Sequence, residues 1–228
     1  MRKTIGSAFY RSLPVMVGYL IIGFGFGMVL RNAGYSLIWA MSMSLFIYAG
    51  SMQYVGISLI TAPASLLTAA ITTLMINARH LFYSISMIPG YRGAGGYKPY
   101  LIFALTDETY ALLSGEEGHK EDFFPFCFWV SLFNHLYWLV GTALGSLLAA
   151  ALPFSTEGVS FSMTALFVSA YTEQWISGKH RLSAAAGLLV TLVARLVFGR
   201  ELFLIPAMVL ITALLLLLKD NFQKEGEA

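Results

Sequence analysis

Residues 32 to 78 read NAGYSLIWAMSMSLFIYAGSMQYVGISLITAPASLLTAAITTLMINA and contain no Asp, Glu, Lys or Arg. A helix that crosses the hydrocarbon core of a bilayer needs about 20 apolar residues. This run is therefore too long for one crossing, and the sequence Thr61-Ala62-Pro63-Ala64 divides it. We predict a second membrane segment near Leu37 to Ile60 and a third from Ser65 to about Ile88.

Long charge-free runs recur along the rest of the chain. Of its 228 residues, 57% are hydrophobic and 11% are charged, a charge density about half that of a soluble domain. We predict an all-α integral membrane protein, a polytopic bundle of about seven to eight transmembrane helices in one domain, 1–228. The remaining predicted segments are Pro14 to Leu30, Tyr100 to about Leu113, and stretches within Phe123–Leu152, Phe161–Ile176, Leu182–Phe198 and Leu202–Leu218.

Composition and missing motifs exclude several classes of function. The net charge of +2 is scattered, so the basic stripe that a nucleic-acid partner requires is absent. Cys127 is the only cysteine, which excludes an internal disulfide and every multi-cysteine metal motif. An intramembrane enzyme is disfavoured because neither His-Glu-x-x-His nor Gly-x-Ser-x-Gly occurs. No cofactor is expected, and a scaffold or channel subunit that does not transport stays an alternative.

An internal repeat is indicated, as in many transporters. Residues 45 to 53, LFIYAGSMQ, align with residues 166 to 174, LFVSAYTEQ. Gly23 and Gly27 upstream match Gly141 and Gly145, and Ala78-Arg79 downstream matches Ala194-Arg195. We predict repeat halves 14–99 and 123–201, linked by the segment 100–122, with chance similarity between apolar segments as the alternative. Whether the halves are parallel or inverted is open.

Polar side chains at membrane depth are the main functional clue. A charge at mid-membrane costs about 2.5 to 3.5 kcal/mol on insertion scales, so such groups are usually paired, protonated or facing water. Arg79 and Arg195 have an alternative role. Because they lie near the ends of their segments, their side chains can reach the membrane interface and serve only to fix the depth of the helix in the bilayer. The predicted substrate-binding residues are Gly50, Ser51, Gln53, Asn77 and Gln174. The predicted ion-coupling or intramembrane charged residues are Arg79, His80, Asp107, Glu108, Glu173 and Arg195, with Asn134 and His135 polar nearby.

The adjacent acids Asp107 and Glu108 lie within the short fourth segment, which is too short to establish that it crosses. Neighbouring residues on a helix point about 100 degrees apart, so we expect one carboxylate to line the path and the other to pair elsewhere. Buried carboxylates are suitable proton carriers, which makes this pair, with Glu173, the candidate site of proton coupling. Alternatively, a new helix begins here with Thr106 or Asp107 as its N-cap.

Helix breaks are predicted at equivalent places in the two halves, at residues 49–51 and 170–172. A broken helix exposes backbone N–H groups whose partial positive charge suits a carboxylate. Gln53 or Gln174 would then orient the ligand, as in transporters with discontinuous helices. The alternative is an ordinary helix in which Gly50 serves packing.

Three stretches carry a resemblance: Ala49–Tyr54 (AGSMQY), Asn77–Tyr83 (NARHLFY) and Leu105–Leu112 (LTDETYAL). In sequence, order and spacing they resemble the signature blocks of the AzlC family of branched-chain amino acid exporters. The likeness covers nearly the whole chain and is most specific in its first half. Ser84 stands where such proteins often have glycine, and Met52 replaces a smaller residue; these departures concern the choice of substrate rather than the family.

The resemblance implies a multi-pass permease of the bacterial inner membrane that exports leucine, isoleucine, valine and related amino acids. It also implies a small AzlD-like membrane subunit as partner, besides the amino-acid substrate and the lipid bilayer. Proton-coupled antiport is a hypothesis motivated by the membrane carboxylates. Counting Lys and Arg gives the same balance for eight crossings with the N-terminus inside and for seven with it outside. Both topologies place the C-terminal tail from Lys219 in the cytoplasm.

Overall fold

The computed structural model describes residues 2–62, 64–113, 122–151, 168, 171–172, 175 and 181–217. Backbone contacts divide the chain into two compact units, Met1–Thr73 with Arg79–Met163 and Leu74–Ala78 with Thr164–Ala228. The described regular elements are all helical, as predicted. They are α1 (Arg2–Asn32), α2 (Leu37–Phe46), α3 (Gly50–Thr61), α4 (Leu66–Met87), α5 (Lys98–Phe103), α6 (Asp107–Leu113), α7 (Phe123–Ala151), α8 (Arg181–Leu202) and α9 (Leu204–Leu217), with a 3-10 turn at Gly95–Tyr97.

Two of the described helices are long and apolar enough to cross a bilayer, Lys3–Asn32 within α1 and Phe123–Ala151 in α7. These two helices contain the predicted first and fifth segments. Helix α7 matches its predicted bounds, whereas α1 begins twelve residues before the predicted start at Pro14. Shorter apolar helices cover Leu37–Phe46, Leu66–Ala78 and Ala184–Gly199. The predicted count of seven to eight transmembrane helices is therefore not confirmed within the described residues.

Helices α1 and α7 run parallel and touch along a seam of glycines, which we call the glycine seam (Gly23, Gly27, Gly141 and Gly145). A Cβ atom on Gly23 would lie 2.9 Å from the carbonyl oxygen of Trp138, and one on Gly141 would lie 2.7 Å from that of Leu20. Gly27 and Gly145 approach the opposite backbone more closely still. Only glycine permits such contact, so these residues allow close helix packing.

The parallel course of α1 and α7 follows from pairs that advance together along both helices. Near their starts, Thr4 Oγ1 donates to Asp122 Oδ2 at 3.1 Å. Further along both helices, the rings of Phe9 and Phe133 pack edge to face with centroids 5.6 Å apart. The predicted repeat is not tested by this packing, but the two helices that it equates have the same direction.

Helices α2 and α3 form a hairpin. The start of α2 and the end of α3 lie at the same end of the unit, where α1 ends. The connection contains Tyr48, whose φ of 43° lies in the left-handed region and turns the chain back. Along α3, Tyr54 donates its hydroxyl hydrogen to the carbonyl oxygen of Ile22 at 2.7 Å. At the end of α3, Tyr35 donates to the carbonyl oxygen of Ile60 at 3.3 Å. Because α3 runs parallel to α1, it returns to the end where α2 began.

This course corrects the predicted second segment. A continuous crossing from Leu37 to Ile60 is wrong, because the two half-helices lie side by side and reach only part of the way through the unit. The predicted helix break near Gly50 is confirmed, with α3 beginning at that glycine. Uniform hydrophobicity gives no signal at a turn of this kind, which explains why counting apolar residues predicted a crossing.

Helices α5 and α6 form a second hairpin, which enters from the opposite end. The ring of Tyr97, just before α5, packs on Phe128 near the start of α7 at 5.5 Å. Phe103, at the end of α5, packs on His135 two turns further along α7 at 5.8 Å. Helix α6 then turns back, and Arg11 of α1 donates to a carbonyl oxygen near its C-terminus at 3.2 Å. The short fourth segment therefore does not cross.

A buried apolar cluster closes the end of this unit where α1, α5 and α7 begin. Ala8 of α1 packs there with Met87 at the end of α4, and with Leu101, Leu113 and Cys127. The cysteine is fully buried in this cluster. In the other unit, α8 bends at Gly199, whose φ of 74° breaks the helical geometry.

Candidate functional site

The tips of the two hairpins meet beside the middle of α7, and polar side chains gather there although the surroundings are apolar. We call this group the polar cluster. Its ring and hydroxyl groups stack and hydrogen-bond across four chain segments, and all but the partly buried Glu108 are at least nine-tenths buried. The members are Tyr19, Ser44, Tyr48, Gln53, Thr106, Glu108, Thr109, Asn134, His135, Trp138 and Thr142.

The first hairpin contributes Ser44 and Gln53, one from each of its helices. Gln53 Nε2 donates to Ser44 Oγ at 3.1 Å, and Ser44 Oγ shares a hydrogen bond of 3.0 Å with Thr142 Oγ1 of α7. His135 Nε2 lies 3.2 Å from the backbone oxygen of Ser44. These bonds tie both half-helices to α7, so the hairpin is held by polar contacts as well as by packing.

Aromatic rings surround the tip of the first hairpin. Tyr48 stacks on His135 with ring centroids 4.1 Å apart and 27° between the planes. The indole of Trp138 covers the start of α3 so closely that a Cβ on Gly50 would lie 3.0 Å from it. Gly50 therefore has a packing role as well as starting the helix. Tyr19 of α1 completes the group, edge to face with Trp138 at 5.6 Å.

The second hairpin contributes a continuous chain of hydroxyl groups. Thr106 caps α6, because its Oγ1 accepts from the backbone N–H of Thr109 at 3.3 Å. Tyr19 donates to Glu108 Oε2 at 2.7 Å, and its hydroxyl lies 2.6 Å from Thr106 Oγ1. Thr106 Oγ1 lies 3.0 Å from Thr109 Oγ1, which accepts from Asn134 Nδ2 at 3.0 Å. The alternative in which a new helix begins here with Thr106 as its N-cap is thus confirmed. Glu108, two positions further on, is partly buried.

Four polar atoms of the cluster have no hydrogen-bond partner among the described residues: Tyr48 OH, Gln53 Oε1, Asn134 Oδ1 and Trp138 Nε1. Each belongs to a side chain that is no more than 3% exposed. A buried polar group without a partner costs about 1 to 3 kcal/mol. Two of these atoms are acceptors, one is a donor, and the tyrosine hydroxyl can be either. The cluster therefore offers matched but unused hydrogen-bonding capacity of both kinds.

The structure places two predicted site residues in the polar cluster, Gln53 and Glu108, and Gly50 packs against Trp138 of the cluster. Ser51 follows Gly50 in the first turn of α3. Asp107 begins α6 and is partly buried beside Glu108. Glu173 and Gln174 lie outside the described residues.

The remaining predicted residues lie elsewhere on the helices. Asn77 and His80 are partly buried on α4, where Asn77 belongs to the unit that contains α8 and α9. Arg79 lies on the same helix, and its side chain is outside the described part of the structure. Arg195 is exposed on α8 with its guanidinium 6.0 Å from the ring centre of Phe203. This position fits the alternative in which that arginine fixes depth.

Sequence reasoning missed most hydroxyl and aromatic members of the cluster. Ser44, Thr109 and Thr142 carry no charge, and such residues are common in membrane helices as packing groups. Tyr19 and Trp138 were indistinguishable from the many aromatic residues near segment ends. The spacing of Asn134 and Trp138, four positions apart and hence on one helix face, was an available signal.

Metal binding finds no support in the described part of the chain, where no three His, Cys, Asp or Glu side chains come together. The cluster has one carboxylate and one imidazole, and both are already hydrogen-bonded within the protein. Its chemistry is that of recognition by hydrogen bonds.

These features define a class of protein: a helical membrane protein with a polar site buried where two opposed half-crossing hairpins meet. The AzlC protein family model matches residues 14–152, and the chain belongs to the AzlC family. It is 39% identical over 219 residues to the branched-chain amino acid transport protein AzlC of Bacillus subtilis, covering 96% of this chain and 86% of that protein. No solved structure matches the chain.

Other relatives are also named as membrane proteins. An uncharacterized membrane protein of Helicobacter pylori (strain 26695) is 39% identical over 224 residues, with 97% of each chain covered. The inner membrane protein YgaZ of Escherichia coli is 28% identical over 213 residues, covering 87% of this chain and 82% of that protein. The family predicted from the three short motifs is confirmed, and the likeness to relatives extends through both predicted halves.

Proposed function

We propose that this chain is the permease subunit of a branched-chain amino acid exporter and that its substrate binds in the polar cluster. The observation that carries this proposal is the set of four buried polar atoms without partners, at the place where both hairpins end. The name of the Bacillus subtilis relative supplies the substrate class. An amino acid bound there would satisfy groups that are otherwise costly to bury.

A zwitterion matches the chemistry of these atoms. The ammonium group carries only donors, and Gln53 Oε1 and Asn134 Oδ1 are acceptors. The carboxylate carries only acceptors, and Trp138 Nε1 is a donor beside the N-terminus of α3, whose first N–H groups have no partner within the helix. A helix N-terminus also favours negative charge.

A branched apolar side chain would pack against the rings that line the cluster. Phe26 is fully buried and stacks on Trp138 with centroids 6.3 Å apart. Phe103 lies beside Tyr48 at 6.2 Å. Such rings reject charge but discriminate weakly among aliphatic side chains, since one methylene is worth about 1 to 3 kcal/mol. This supports a permease that accepts leucine, isoleucine and valine together.

The two hairpins would act as gates on opposite sides of the site. Ser44 and Gln53 are fully buried, so substrate can enter this conformation only if a tip moves. Each hairpin reaches the cluster from a different end, and displacing one leaves the other in place. Alternating movement of this kind gives alternating access around a fixed site.

Proton coupling would act through Glu108. Three hydroxyl groups, of Tyr19, Thr106 and Thr109, connect its carboxylate to Asn134. Tyr19 donates to Glu108, whereas Thr106 donates to Thr109, away from the carboxylate. Protonated Glu108 would donate to the Tyr19 hydroxyl, whose hydrogen would then turn to Thr106 Oγ1, 2.6 Å away. This rearrangement would carry the protonation state of Glu108 towards Asn134 at the substrate.

The orientation in the bacterial inner membrane is proposed from the positions of basic residues. The end of the first unit where α1, α5 and α7 begin carries Lys3, Arg11, Arg92 and Lys98, whereas the opposite end carries Arg31. Basic residues concentrate on the cytoplasmic side. The second hairpin would then face the cytoplasm and the first the outside. We further propose an AzlD-like small membrane subunit, on the resemblance described above.

Efflux from cells tests the proposal. Cells without exporters of their own are loaded with labelled leucine, isoleucine or valine, and the chain is expressed with and without an AzlD-like partner. We expect efflux of all three, and dependence on the partner would establish the two-component form. Asn134→Leu, which keeps the branched shape but removes the unpartnered acceptor together with the donor to Thr109, should abolish efflux, whereas the exposed matched change Asn32→Leu should not.

Two results would contradict the proposal. Absence of efflux of every branched-chain amino acid, with both proteins inserted, would reject the substrate class. Unchanged substrate affinity in Asn134→Leu and in Gln53→Ala would reject the polar cluster as the binding site while leaving transport intact.

A further inference from the structure

A second cavity lies away from the polar cluster, at the basic end of the first unit. It has a volume of about 230 Å³ and lies between the end of α4, the connection to α5, and α5 itself. Two basic side chains, Arg92 and Lys98, line it together with Ser84 and Tyr91. Its lining residues are not members of the polar cluster.

One lining residue, Tyr91, carries a hydroxyl without a hydrogen-bond partner among the described residues. Tyr91 is 3% exposed. Burial raises the pKa of that hydroxyl, so the group stays protonated and can donate a hydrogen bond. Ser84 adds a second hydroxyl to the same lining. Two cations and two hydroxyl groups form a donor set that suits a phosphate.

The remaining lining is apolar and opens towards the surroundings of the helices. Ile88 and Ile102 line the cavity and are 55% and 51% exposed. In a membrane protein, exposed aliphatic side chains at a helix end lie at the level where acyl chains begin. A ligand that fits both parts therefore carries a phosphate at one end and a hydrocarbon chain at the other.

We infer that this cavity binds the phosphate headgroup of an anionic phospholipid, with its acyl chains against Ile88 and Ile102. Basic pockets at the cytoplasmic face are known to suit such headgroups, and each Lys or Arg near an anionic surface contributes enough to change affinity about fivefold. The inference concerns a different site from the proposed substrate site. It holds whether or not the chain exports amino acids.

Binding of defined lipids to the purified full-length chain tests the inference. Native mass spectrometry in detergent would follow titration with dioctanoyl phosphatidylglycerol, with the zwitterionic phosphatidylethanolamine of equal chain length, and with inorganic phosphate. We expect one phosphatidylglycerol molecule to bind in preference to the other two probes. Arg92→Gln and Lys98→Gln should each weaken it about fivefold, and Tyr91→Phe should weaken it about threefold without changing the thermal unfolding of the chain by more than a few degrees.

Lys3→Gln serves as the matched control, since it removes one exposed charge from the same end but lies outside the cavity lining. It should leave the affinity within twofold of the native value. Equal binding of the two lipids, or equal weakening by Lys3→Gln and Lys98→Gln, would overturn the inference. Tight binding of inorganic phosphate without competition from phosphatidylglycerol would also overturn it, because the site would then belong to a soluble anion.

Discussion

Replacing Glu108 by glutamine separates the proposed coupling from substrate binding. The carboxylate accepts the Tyr19 hydroxyl hydrogen at 2.7 Å, and the amide oxygen of glutamine can accept the same bond. A hydrogen bond to a charged group contributes about 1.5 to 3 kcal/mol and one between neutral groups about 0.5 to 1.5. The variant should thus lose about 1 to 2 kcal/mol of local stabilisation, too little to unfold the chain.

Transport in proteoliposomes should show two different outcomes for this variant. Exchange of labelled for unlabelled leucine needs no proton movement and should persist, slowed by no more than about tenfold, which corresponds to 1.4 kcal/mol. Accumulation of leucine against its gradient, driven by an imposed pH gradient, should be lost, because glutamine cannot release a proton.

Asp107→Asn is the control, since it removes the neighbouring charge at the start of α6. It should weaken the interaction with the helix N-terminus, about 0.3 to 1 kcal/mol, and keep gradient-driven accumulation. The reasoning is refuted if Glu108→Gln accumulates leucine as the native chain does. Loss in Asp107→Asn with retention in Glu108→Gln would assign coupling to the other acid.

Three further outcomes are expected. Gln53→Ala should raise the half-saturating leucine concentration about tenfold, the loss of one buried hydrogen bond, measured by exchange at varied leucine. Gly145→Ala should lower the free energy of unfolding by about 1 to 3 kcal/mol through overpacking. Gly187→Ala should not, because open space surrounds Gly187, and thermal unfolding of the two variants in detergent measures the difference. Single cysteines at Ala33 and Ala62 should react with an impermeant reagent from the same side, because the first hairpin returns; labelling from opposite sides would restore the predicted crossing.

The sequence predicts the parts of the fold for which the length of an apolar run is informative. Apolar length located α1 and α7 because those helices are continuous. Apolar length could not distinguish a crossing from a hairpin, because α2 and α3 together have about the length and apolar composition of one continuous membrane-spanning helix. The contact of Tyr54 with α1, and that of Tyr35, just after α1, with the end of α3, reveal that the chain returns.

The site was predicted where a residue is unusual for its surroundings. Gln53 and Glu108 were identified because an amide or carboxylate inside an apolar run needs an explanation. Ser44 and Thr142 could not be found in this way, because a hydroxyl in a membrane helix can bond within its own helix. Their role arises from a contact between distant segments, 98 positions apart in sequence, that no local pattern encodes.

The glycine seam explains how the polar cluster can keep atoms without partners. Gly23 packs against the backbone of Trp138, and Gly141 packs against the backbone of Tyr19. Because both contacts are between backbones, α1 and α7 cannot move closer together. The positions of Tyr19 and Trp138 in the polar cluster are therefore fixed. In a looser pair of helices the polar side chains would shift until they paired with each other. The rigid seam instead keeps their hydrogen-bonding capacity available, so that a ligand meets a prepared site and little ordering cost remains at binding.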